Sequence, residues 1–376
     1  MVKNMSLTSI LKARPEVVDF LVSRINNIPK KPSTPEKKQF FQGEDPALVG
    51  TAFDYAFRFE VLRKYPHATE KQWIAESGAS MIRQKAWREI ASQTIKTTKY
   101  VRDAYYETPS KENLRRLVEM CFRISHLDMV YREGKLPSGP IPKERLMPAP
   151  LDIEIEDVIS MLSNSTEFIN SKRFSRSSLI MLNPSFGWYS KLVGGADADI
   201  ITSTSLIDLK ATSSIKINKL TLAQIVGYYM LILMSNRNIP ASKFQKLHSF
   251  PDVKEIGMFF PRFSTEYIIP CNDISITNED IIKFRELANI IPFDNSHNIT
   301  GKQGNKGIIV NECPVVVENM YDLLKIIDFD NNQKLLEKVM GNLNMNGNNM
   351  NYTDLSGVKW HISKIGNHYE INKIIQ

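Results

Sequence analysis

Residues 194–212, GGADADIITSTSLIDLKAT, predict two short strands joined by a tight turn, around which the rest of the sheet is expected to form. In its second half, Asp208 and Lys210 alternate with Ile207 and Leu209. The two-residue period of a strand therefore places the charged pair on one face and the aliphatic pair on the other. Apolar residues on both sides of the turn indicate that these strands lie inside a sheet, where an unpaired charge is costly.

The register of this hairpin brings two acidic residues together. If Thr202 pairs with Ser205, the same register sets Asp199 opposite Asp208. Like charges directly opposite each other destabilise a sheet. A divalent cation held between them removes that penalty, because hard cations take carboxylate oxygens as ligands. The hairpin therefore predicts a metal site beside Lys210.

The residue types in the hairpin fit metal-dependent hydrolysis, in which a cation lowers the pKa of a bound water. Asp199 and Asp208 supply carboxylates, Lys210 supplies a group that positions water, and the carbonyl of Leu209 is a further candidate ligand. So sparse a set of oxygen ligands favours Mg²⁺, with Mn²⁺ as its substitute, over zinc. Asp197 lies on the same strand face and is the second-choice acid, because Asp199 is the one in register with Asp208.

A competing interpretation of the hairpin is an acidic surface β-turn with a salt-bridging lysine. The connection before it, NPSFGWYSKLVGG (residues 183–195), carries Trp188, Tyr189 and Lys191. The aromatic rings suit base stacking, although packing under the sheet as loop anchors is the favoured interpretation. Lys191 is a candidate for contact with a phosphate.

Periodicity along the rest of the chain predicts an α/β protein. Helices are expected at 6–27 (one or two), 49–64, 69–85, 87–106, 111–131, 153–162, 219–234, 278–290 and 317–339. Strands are expected at 178–182, in the hairpin, at 253–260 and 266–269, and in a terminal hairpin formed by 359–362 and 369–374. Loops are expected at 28–39, 136–150 and 341–351, and the Pro-rich segment 136–150 is the best candidate for a structural boundary.

Charge is distributed unevenly along the chain, whose formal net charge is +7. Residues 1–150 hold 26 Lys and Arg against 17 Asp and Glu, whereas residues 151–376 hold 22 against 24. A basic first segment suits a polyanionic partner such as nucleic acid. The alternative is a solvated helical surface rich in Lys and Arg.

Several other classes of protein are disfavoured by composition. The three cysteines are far apart, and neither they nor the six histidines show the spacing of a metal site. The sequence contains no run of 18 apolar residues and no secretory leader at its start, so we expect a cytoplasmic protein with no membrane association.

The hairpin and the segment after it resemble the PD-(D/E)XK nuclease superfamily, and within it the RecB-like exonuclease branch. Asp199 matches the first acid of the family, and Asp208 with Lys210 matches its D-x-K motif. Gln224 and Tyr228 match Q-x-x-x-Y, and their spacing places them on one helix face. In the family that face contributes to the active site or to DNA contact.

An upstream segment, VGTAFDYAFRFE (residues 49–60), extends the resemblance. The branch carries a glycine four residues before a metal-binding histidine, and this sequence has Gly50 and Asp54 at that spacing. Aspartate stands where the family has histidine, yet it is also a ligand for Mg²⁺. The alternative for Asp54 is a helix cap or an ion pair with Arg58 at i+4.

The resemblance implies a restriction-endonuclease-like α/β fold, in which helices flank a central mixed sheet and a large N-terminal portion is helical. Residues 1–150 would supply the first motif helix (about 49–64) and a helical insertion, 151–270 the catalytic core, and 271–376 a C-terminal helical and β-hairpin extension. The implied activity is Mg²⁺-dependent hydrolysis of DNA phosphodiester bonds, in DNA repair, mobile-element maintenance or antiviral defence. Two alternatives remain, a catalytically inactive nuclease-fold protein that binds nucleic acid and a structural or interaction protein.

Overall fold

Six strands form the mixed sheet around which the first part of the chain folds. The computed structural model describes residues 6–32, 45–133, 146–237 and 250–288, and the strand residues 315–317, 349–353, 359–365 and 368–374. In sheet order the six strands are β1 (Thr69–Glu70), β2 (Ile180–Leu182), β3 (Ile200–Thr202), β4 (Ser205–Leu209), β5 (Glu255–Phe260) and β6 (Thr265–Pro270). Strands β1 and β2 are parallel, as are β4 and β5, and the remaining neighbours are antiparallel.

The hairpin of β3 and β4 has the predicted register. Ile200 pairs with Ile207, so Asp199 and Asp208 occupy the next opposed positions toward the open end of the hairpin. The register follows from the two-residue turn between the strands and from the burial of aliphatic side chains on both faces of the sheet.

Helices cover both faces of this sheet. They are α1 (Leu7–Ala13), α2 (Pro15–Val22), α3 (Pro46–Lys64), α4 (Ile74–Met81), α5 (Lys85–Glu107), α6 (Lys111–Glu133), α7 (Asp152–Asn164), α8 (Thr166–Ile169), α9 (Lys172–Ser175), α10 (Trp188–Leu192), α11 (Lys219–Asn236) and α12 (Asn278–Leu287). The predicted helices at 6–27, 49–64, 87–106, 111–131, 153–162, 219–234 and 278–290 are confirmed, with ends shifted by a few residues.

Two apolar cores lie on opposite faces of the sheet. Ile201 and Leu206 belong to the core formed with α1, α2, α10, α11 and α12, whereas Ile200 and Ile207 belong to the core formed with α3–α9. Asp208 follows Leu206 by two residues, so strand alternation directs it to the face covered by α11. Helix α11 connects the parallel strands β4 and β5, and it is buried nearly all round because it also packs against α1 and α2.

Helix α3 approaches the sheet where β4 ends. Its N-terminus is capped by Asp45, whose side chain accepts hydrogen bonds from the N–H groups of Ala47 and Leu48. A Cβ added to Gly50 would lie 4.0 Å from Cβ of Ala211, just after β4. Asp54 lies one turn further along the helix, near enough to the hairpin for its charge to act on Asp199.

The predicted helix over residues 69–85 is wrong in its first part. Thr69 and Glu70 form β1, which pairs with Met181 and Leu182 of β2 at the edge of the sheet, and α4 begins only at Ile74. A two-residue strand has no period of its own. It forms because the edge of β2, a strand from a distant part of the chain, is available for pairing.

The connection between residues 136 and 150 was the predicted boundary, and residues 134–145 lie outside the described part. Helices α6 and α7, on either side of it, contribute to the same core. The chain divides into two compact units, Met1–Ile291 and Pro292–Gln376. In the portion of the chain that the structure describes, no helix combines the length and the apolar character that crossing a membrane requires.

The second unit contains a four-stranded sheet in the order β7 (Val315–Val317), β10 (His368–Ile374), β9 (Lys359–Ile365), β8 (Asn349–Thr353). The predicted terminal hairpin is confirmed, since β9 and β10 are antiparallel neighbours. Two predictions are wrong where they meet this sheet. Val317, expected to begin a helix, ends β7, and residues 349–351, expected in a loop, begin β8. The rest of both predicted segments lies outside the described residues.

Candidate active site

Asp199 and Asp208 meet at the end of the hairpin. Oδ2 of Asp199 accepts a hydrogen bond of 2.5 Å from the N–H of Leu209, and the Asp199 carbonyl accepts one of 2.9 Å from the N–H of Asn183. Asp208 is 6% exposed and Asp199 is half-buried. The hairpin is therefore an interior element of the sheet rather than the surface turn of the competing interpretation.

The surroundings of Asp199 disfavour the ionised form of its carboxyl group. Burial raises the pKa of Asp199 well above its usual value, and the charges of Asp208 and Asp54 raise it further. The hydrogen bond from Leu209 and the charge of Lys210 oppose this shift only in part. Three carboxylates from two elements thus share one electrostatic neighbourhood, which a bound cation would neutralise.

Lys210 connects the hairpin to α11. Its Nζ lies 2.6 Å from Oδ2 of Asp208 and donates a hydrogen bond of 3.0 Å to Oε1 of Gln224. Burial by itself would lower the pKa of Lys210, but the nearby charge of Asp208 gives a net increase. Lys210 is therefore a cation at neutral pH, and a hydrogen bond of 2.8 Å from its backbone N–H to the carbonyl of Phe259 holds it against β5.

The helix motif continues this line of contacts. Nε2 of Gln224 donates a hydrogen bond of 3.0 Å to the hydroxyl of Tyr228, one turn later on α11. Burial and then the charge of Asp208 raise the pKa of Tyr228, so its hydroxyl stays neutral. The ring is stacked on Phe186 with centroids 5.5 Å apart. Asp208, Lys210, Gln224 and Tyr228 form one continuous polar line.

Asp54 has one occupied and one unoccupied carboxylate oxygen. Its Oδ2 accepts a hydrogen bond of 2.9 Å from Nη2 of Arg58, the i+4 ion pair that the sequence offered as an alternative to ligation. The capping alternative is wrong, because Asp45 caps this helix. Oδ1 of Asp54 is buried and has no hydrogen-bond partner among the described residues.

The other two predicted ligands are Asp197 and the carbonyl of Leu209. Asp197 forms an ion pair of 2.9 Å with Lys71, and these side chains are 31% and 42% exposed. Asp199, not Asp197, is therefore the acid beside Asp208. Leu209 ends β4 and places its N–H on Asp199, while ligation by its carbonyl stays a prediction.

The donor atoms fit a hard divalent cation. Oδ1 of Asp54 is a buried carboxylate oxygen without a hydrogen-bond partner in the described region, whereas the buried Oδ2 of Asp208 is paired with Nζ of Lys210 at 2.6 Å. Such oxygens are the ligands that Mg²⁺ prefers. Across the described ranges, no three side chains of His, Cys, Asp or Glu converge closely enough to form a ready metal cage. Lys210 pairs with Asp208 and Arg58 pairs with Asp54, so each of these carboxylates already has a cationic neighbour.

Four residues around Asp54 and the sheet edge escaped the sequence-based assignment of the site. Arg58 was identified only as an i+4 partner, and it also bonds to Glu70 of β1, whose other oxygen accepts from Trp73. Lys71 follows in the same segment. This segment was predicted to be helical, so its return to the edge of the sheet, where β1 pairs with β2, was not predicted.

Of the three residues singled out in the loop before the hairpin, the structure describes the side chain of Tyr189. Tyr189 is buried in the core beneath the sheet, as expected of a loop anchor. The side chains of Trp188 and Lys191 lie outside those that the structure describes, so base stacking and phosphate contact there stay predictions. Cys121 and Cys271 are free thiols, and Cys313 lies outside the described residues.

Comparison with known proteins leaves the site to be interpreted on its own geometry. A scan against family models, a search of curated proteins and a search of solved structures each found no match to this chain.

Proposed function

We propose that this protein is a Mg²⁺-dependent nuclease of restriction-endonuclease-like architecture that hydrolyses phosphodiester bonds in DNA. The observation that carries the proposal is the line Asp208–Lys210–Gln224–Tyr228, which starts beside Asp199. Residues from a hairpin and from a following helix converge there with the chemistry that the D-(spacer)-D-x-K and Q-x-x-x-Y resemblance implies. We place its biological role in DNA repair, mobile-element maintenance or antiviral defence.

The proposed reaction is attack of water on phosphorus. Asp199 and Asp208 would hold the cation, with Asp54 and the carbonyl of Leu209 as further ligands. When bound, Mg²⁺ lowers the pKa of water and offsets charge on the phosphoryl oxygens. Lys210, a cation within reach of Asp208, orients the attacking water or stabilises the charge that develops around phosphorus.

Helix α11 supplies the positioning groups. Gln224 accepts from Lys210 and donates to the hydroxyl of Tyr228, so the three side chains constrain one another. The neutral hydroxyl of Tyr228 is suited to donate to a phosphate oxygen. The excess of Lys and Arg in residues 1–150 suits a polyanionic substrate, which supports nucleic acid as the partner.

The experiment is a cleavage assay on the purified full chain with Mg²⁺ or Mn²⁺. Linear and circular, single- and double-stranded DNA and a matched RNA serve as substrates. We expect cleavage of DNA that chelation of the metal abolishes and that Asp208→Asn and Lys210→Ala abolish. Asp103→Asn is the matched control because it changes an exposed carboxylate on α5 that pairs with Arg102, and it should stay active. Metal-dependent cleavage that survives in Asp208→Asn and Lys210→Ala contradicts the proposal.

A second candidate, binding of nucleic acid without cleavage, is favoured by a different observation. Ion pairs with Arg58 and Lys210 already engage Asp54 and Asp208, and no ready three-ligand cluster is present in the described part of the chain. This candidate predicts DNA binding in the presence of a chelator and no calorimetric signal for Mg²⁺ or Mn²⁺. Metal binding that Asp199→Ala removes would reject it.

A further inference from the structure

The outer face of α5 carries a straight row of polar side chains. The row consists of Arg88, Ser92, Lys96 and Tyr100, which follow one another at intervals of four residues and are all exposed. Residues four apart lie on one ridge of a helix, so the row extends about 18 Å along the surface. It has a cation at its start, a second cation about two turns later, and an aromatic ring at its end.

The two cations of this row are not balanced by acidic partners. Within the part of the chain that the structure describes, the side chains of Arg88 and Lys96 form no ion pair or hydrogen bond. Nearby Lys99, by contrast, is paired with Glu76 at 2.6 Å. Residues 83–100 hold five Lys and Arg against one Glu. This ridge therefore attracts phosphate groups without first breaking an ion pair.

The aromatic ring of the row projects into solvent. Tyr100 is 76% exposed, whereas Tyr105 on the same helix is buried and donates a hydrogen bond to Glu60. An exposed ring beside unpaired cations suits base stacking, because every base has an apolar face. Bases can be splayed out onto a protein ring in a single strand, but in a duplex they are stacked on one another. The combination therefore favours a single strand.

Helix α5 also lies next to the sheet that carries the candidate site. Nζ of Lys99 is 5.3 Å from the centroid of the Trp73 ring, and the indole of Trp73 donates a hydrogen bond of 2.8 Å to Glu70 of β1. The residue after Glu70, Lys71, forms an ion pair with Asp197, which lies just before β3. One short segment thus contacts both α5 and the approach to the hairpin.

We propose that the exposed ridge of α5 binds single-stranded DNA, with Arg88 and Lys96 on backbone phosphates and Tyr100 stacked on a base. The inference rests on the proposed function for the class of ligand. It adds the element that binds, the form of the DNA and the role of each side chain. Because these contacts lie on α5 and not at the carboxylates, they require no metal ion.

The first test measures charge contacts by fluorescence anisotropy of a labelled DNA strand, with the purified full chain in EDTA at several KCl concentrations. On a single strand, the slope of log affinity against log salt changes by about 0.7 for each phosphate neutralised. We expect Arg88→Gln and Lys96→Gln each to reduce the slope by about 0.7, and the double variant by about 1.4. Lys111→Gln is the matched control, because Lys111 is an exposed lysine at the start of α6, and its slope should stay unchanged.

The second test measures stacking. Tyr100→Ala should weaken binding of the single strand by about 5–150-fold, the range for loss of one stacked base, without changing the salt slope. Tyr100→Phe keeps the ring and should bind as the unmodified protein does. Tyr131→Ala is the matched control, because Tyr131 is a 50% exposed tyrosine on α6, and it should also bind normally. On the annealed duplex, Tyr100→Ala should change the affinity by less than about twofold.

Melting temperatures check that each variant is folded. Salt slopes that stay unchanged in Arg88→Gln and Lys96→Gln overturn the inference, as does a loss in Tyr100→Ala that is equal for the single strand and the duplex. Absence of DNA binding in the unmodified protein overturns it as well.

Different outcomes separate this inference from the proposed function. If the unmodified protein cleaves DNA with Mg²⁺ while the α5 variants bind normally, the role of α5 is overturned and the nuclease proposal stands. If binding changes as expected but no metal-dependent cleavage occurs, the role of α5 stands and the nuclease proposal is overturned.

Discussion

Two groups of buried carboxylates lie near the end of β4, and they differ in how their charge is balanced. Asp157 is bonded through both carboxylate oxygens to the guanidinium group of Arg262, and each side chain is 2% exposed. At the hairpin, Oδ2 of Asp208 lies 2.6 Å from Nζ of Lys210. Asp199 interacts with the same lysine only through its charge, without a hydrogen bond. The first pair is neutral and complete, whereas the second group has a single lysine for two carboxylates.

This contrast separates carboxylates that are fully paired within the fold from carboxylates that share a single lysine. Arg262 also donates a hydrogen bond of 3.1 Å to the carbonyl of Ala211, so it joins α7, the turn after β5 and the residue that follows Lys210. A complete pair of this kind fixes the scaffold. The incomplete group beside it has one lysine for two carboxylates, and under the proposed function a bound Mg²⁺ would supply the missing positive charge.

The largest expected effect is on activity at the incomplete group. Asp208→Asn should lower the rate of metal-dependent DNA cleavage on the order of 10³-fold or more, about 4 kcal/mol of activation free energy. Its free energy of unfolding without metal should fall by less than that of Arg262→Met, because the charge of Asp199 remains near Lys210 and still balances it. Cleavage rates and urea unfolding of the same preparation measure both quantities. Loss of stability together with activity would make Asp208 a scaffold residue and end the contrast with Asp157.

The complete pair should respond in the opposite way. Arg262→Met is expected to lower the free energy of unfolding by about 3 kcal/mol or more, because it leaves the charge of Asp157 buried and unpaired. Urea unfolding at neutral pH measures this loss. The double variant Arg262→Met, Asp157→Leu should recover most of it, since neither buried charge remains. If Arg262→Met unfolds like the unmodified protein, the pair does not fix the scaffold.

A third buried carboxylate, Asp128, extends the comparison away from the hairpin. It accepts a hydrogen bond of 2.6 Å from the Tyr55 hydroxyl, and Arg132, which is largely exposed, lies 3.7 Å away. Burial raises the pKa of Asp128 to about 6, although Tyr55 and Arg132 act to lower it. The folded protein thus binds this proton more strongly than the unfolded chain, whose reference pKa is 3.8.

The stability that this proton provides is full at low pH and is lost as the pH rises through about 6. Asp128→Asn lacks that loss, so at pH 8 it should be more stable than the unmodified protein by about 1–3 kcal/mol. The gain should vanish near pH 4. Urea unfolding at pH 4, 6 and 8 tests this, and a gain that does not depend on pH would show that Asp128 is not titrating.

The smallest effect is expected at Asp199. Replacing it with asparagine keeps an acceptor for the N–H of Leu209 and removes one of two opposed charges. Without metal, Asp199→Asn should raise the free energy of unfolding by up to about 1 kcal/mol. Addition of Mg²⁺ should raise the melting temperature of the unmodified protein but not that of the variant, because only a bound ligand stabilises the folded state by mass action. A decrease in stability on Asp199→Asn would mean that Asp199 is already balanced.

Sequence patterns near the hairpin were sufficient to predict most of what surrounds it. The register that opposes Asp199 to Asp208 follows from aliphatic alternation around a two-residue turn, and the contact of Gln224 with Tyr228 follows from i, i+4 spacing on a helix. The same local patterns predicted the long helices. They did not predict β1, because two residues carry too little pattern to distinguish a strand from a helix.

Local sequence patterns thus fix the geometry of the hairpin and of α11, since alternation and turn length act between residues close in the chain. Tertiary structure alone decided which distant groups balance each charge. Arg262 meets Asp157 across 105 positions, and Arg58 meets Glu70 only because β1 returns to the sheet edge. These partners depend on tertiary packing, because a buried charge must be paired with an opposite charge that the fold places next to it.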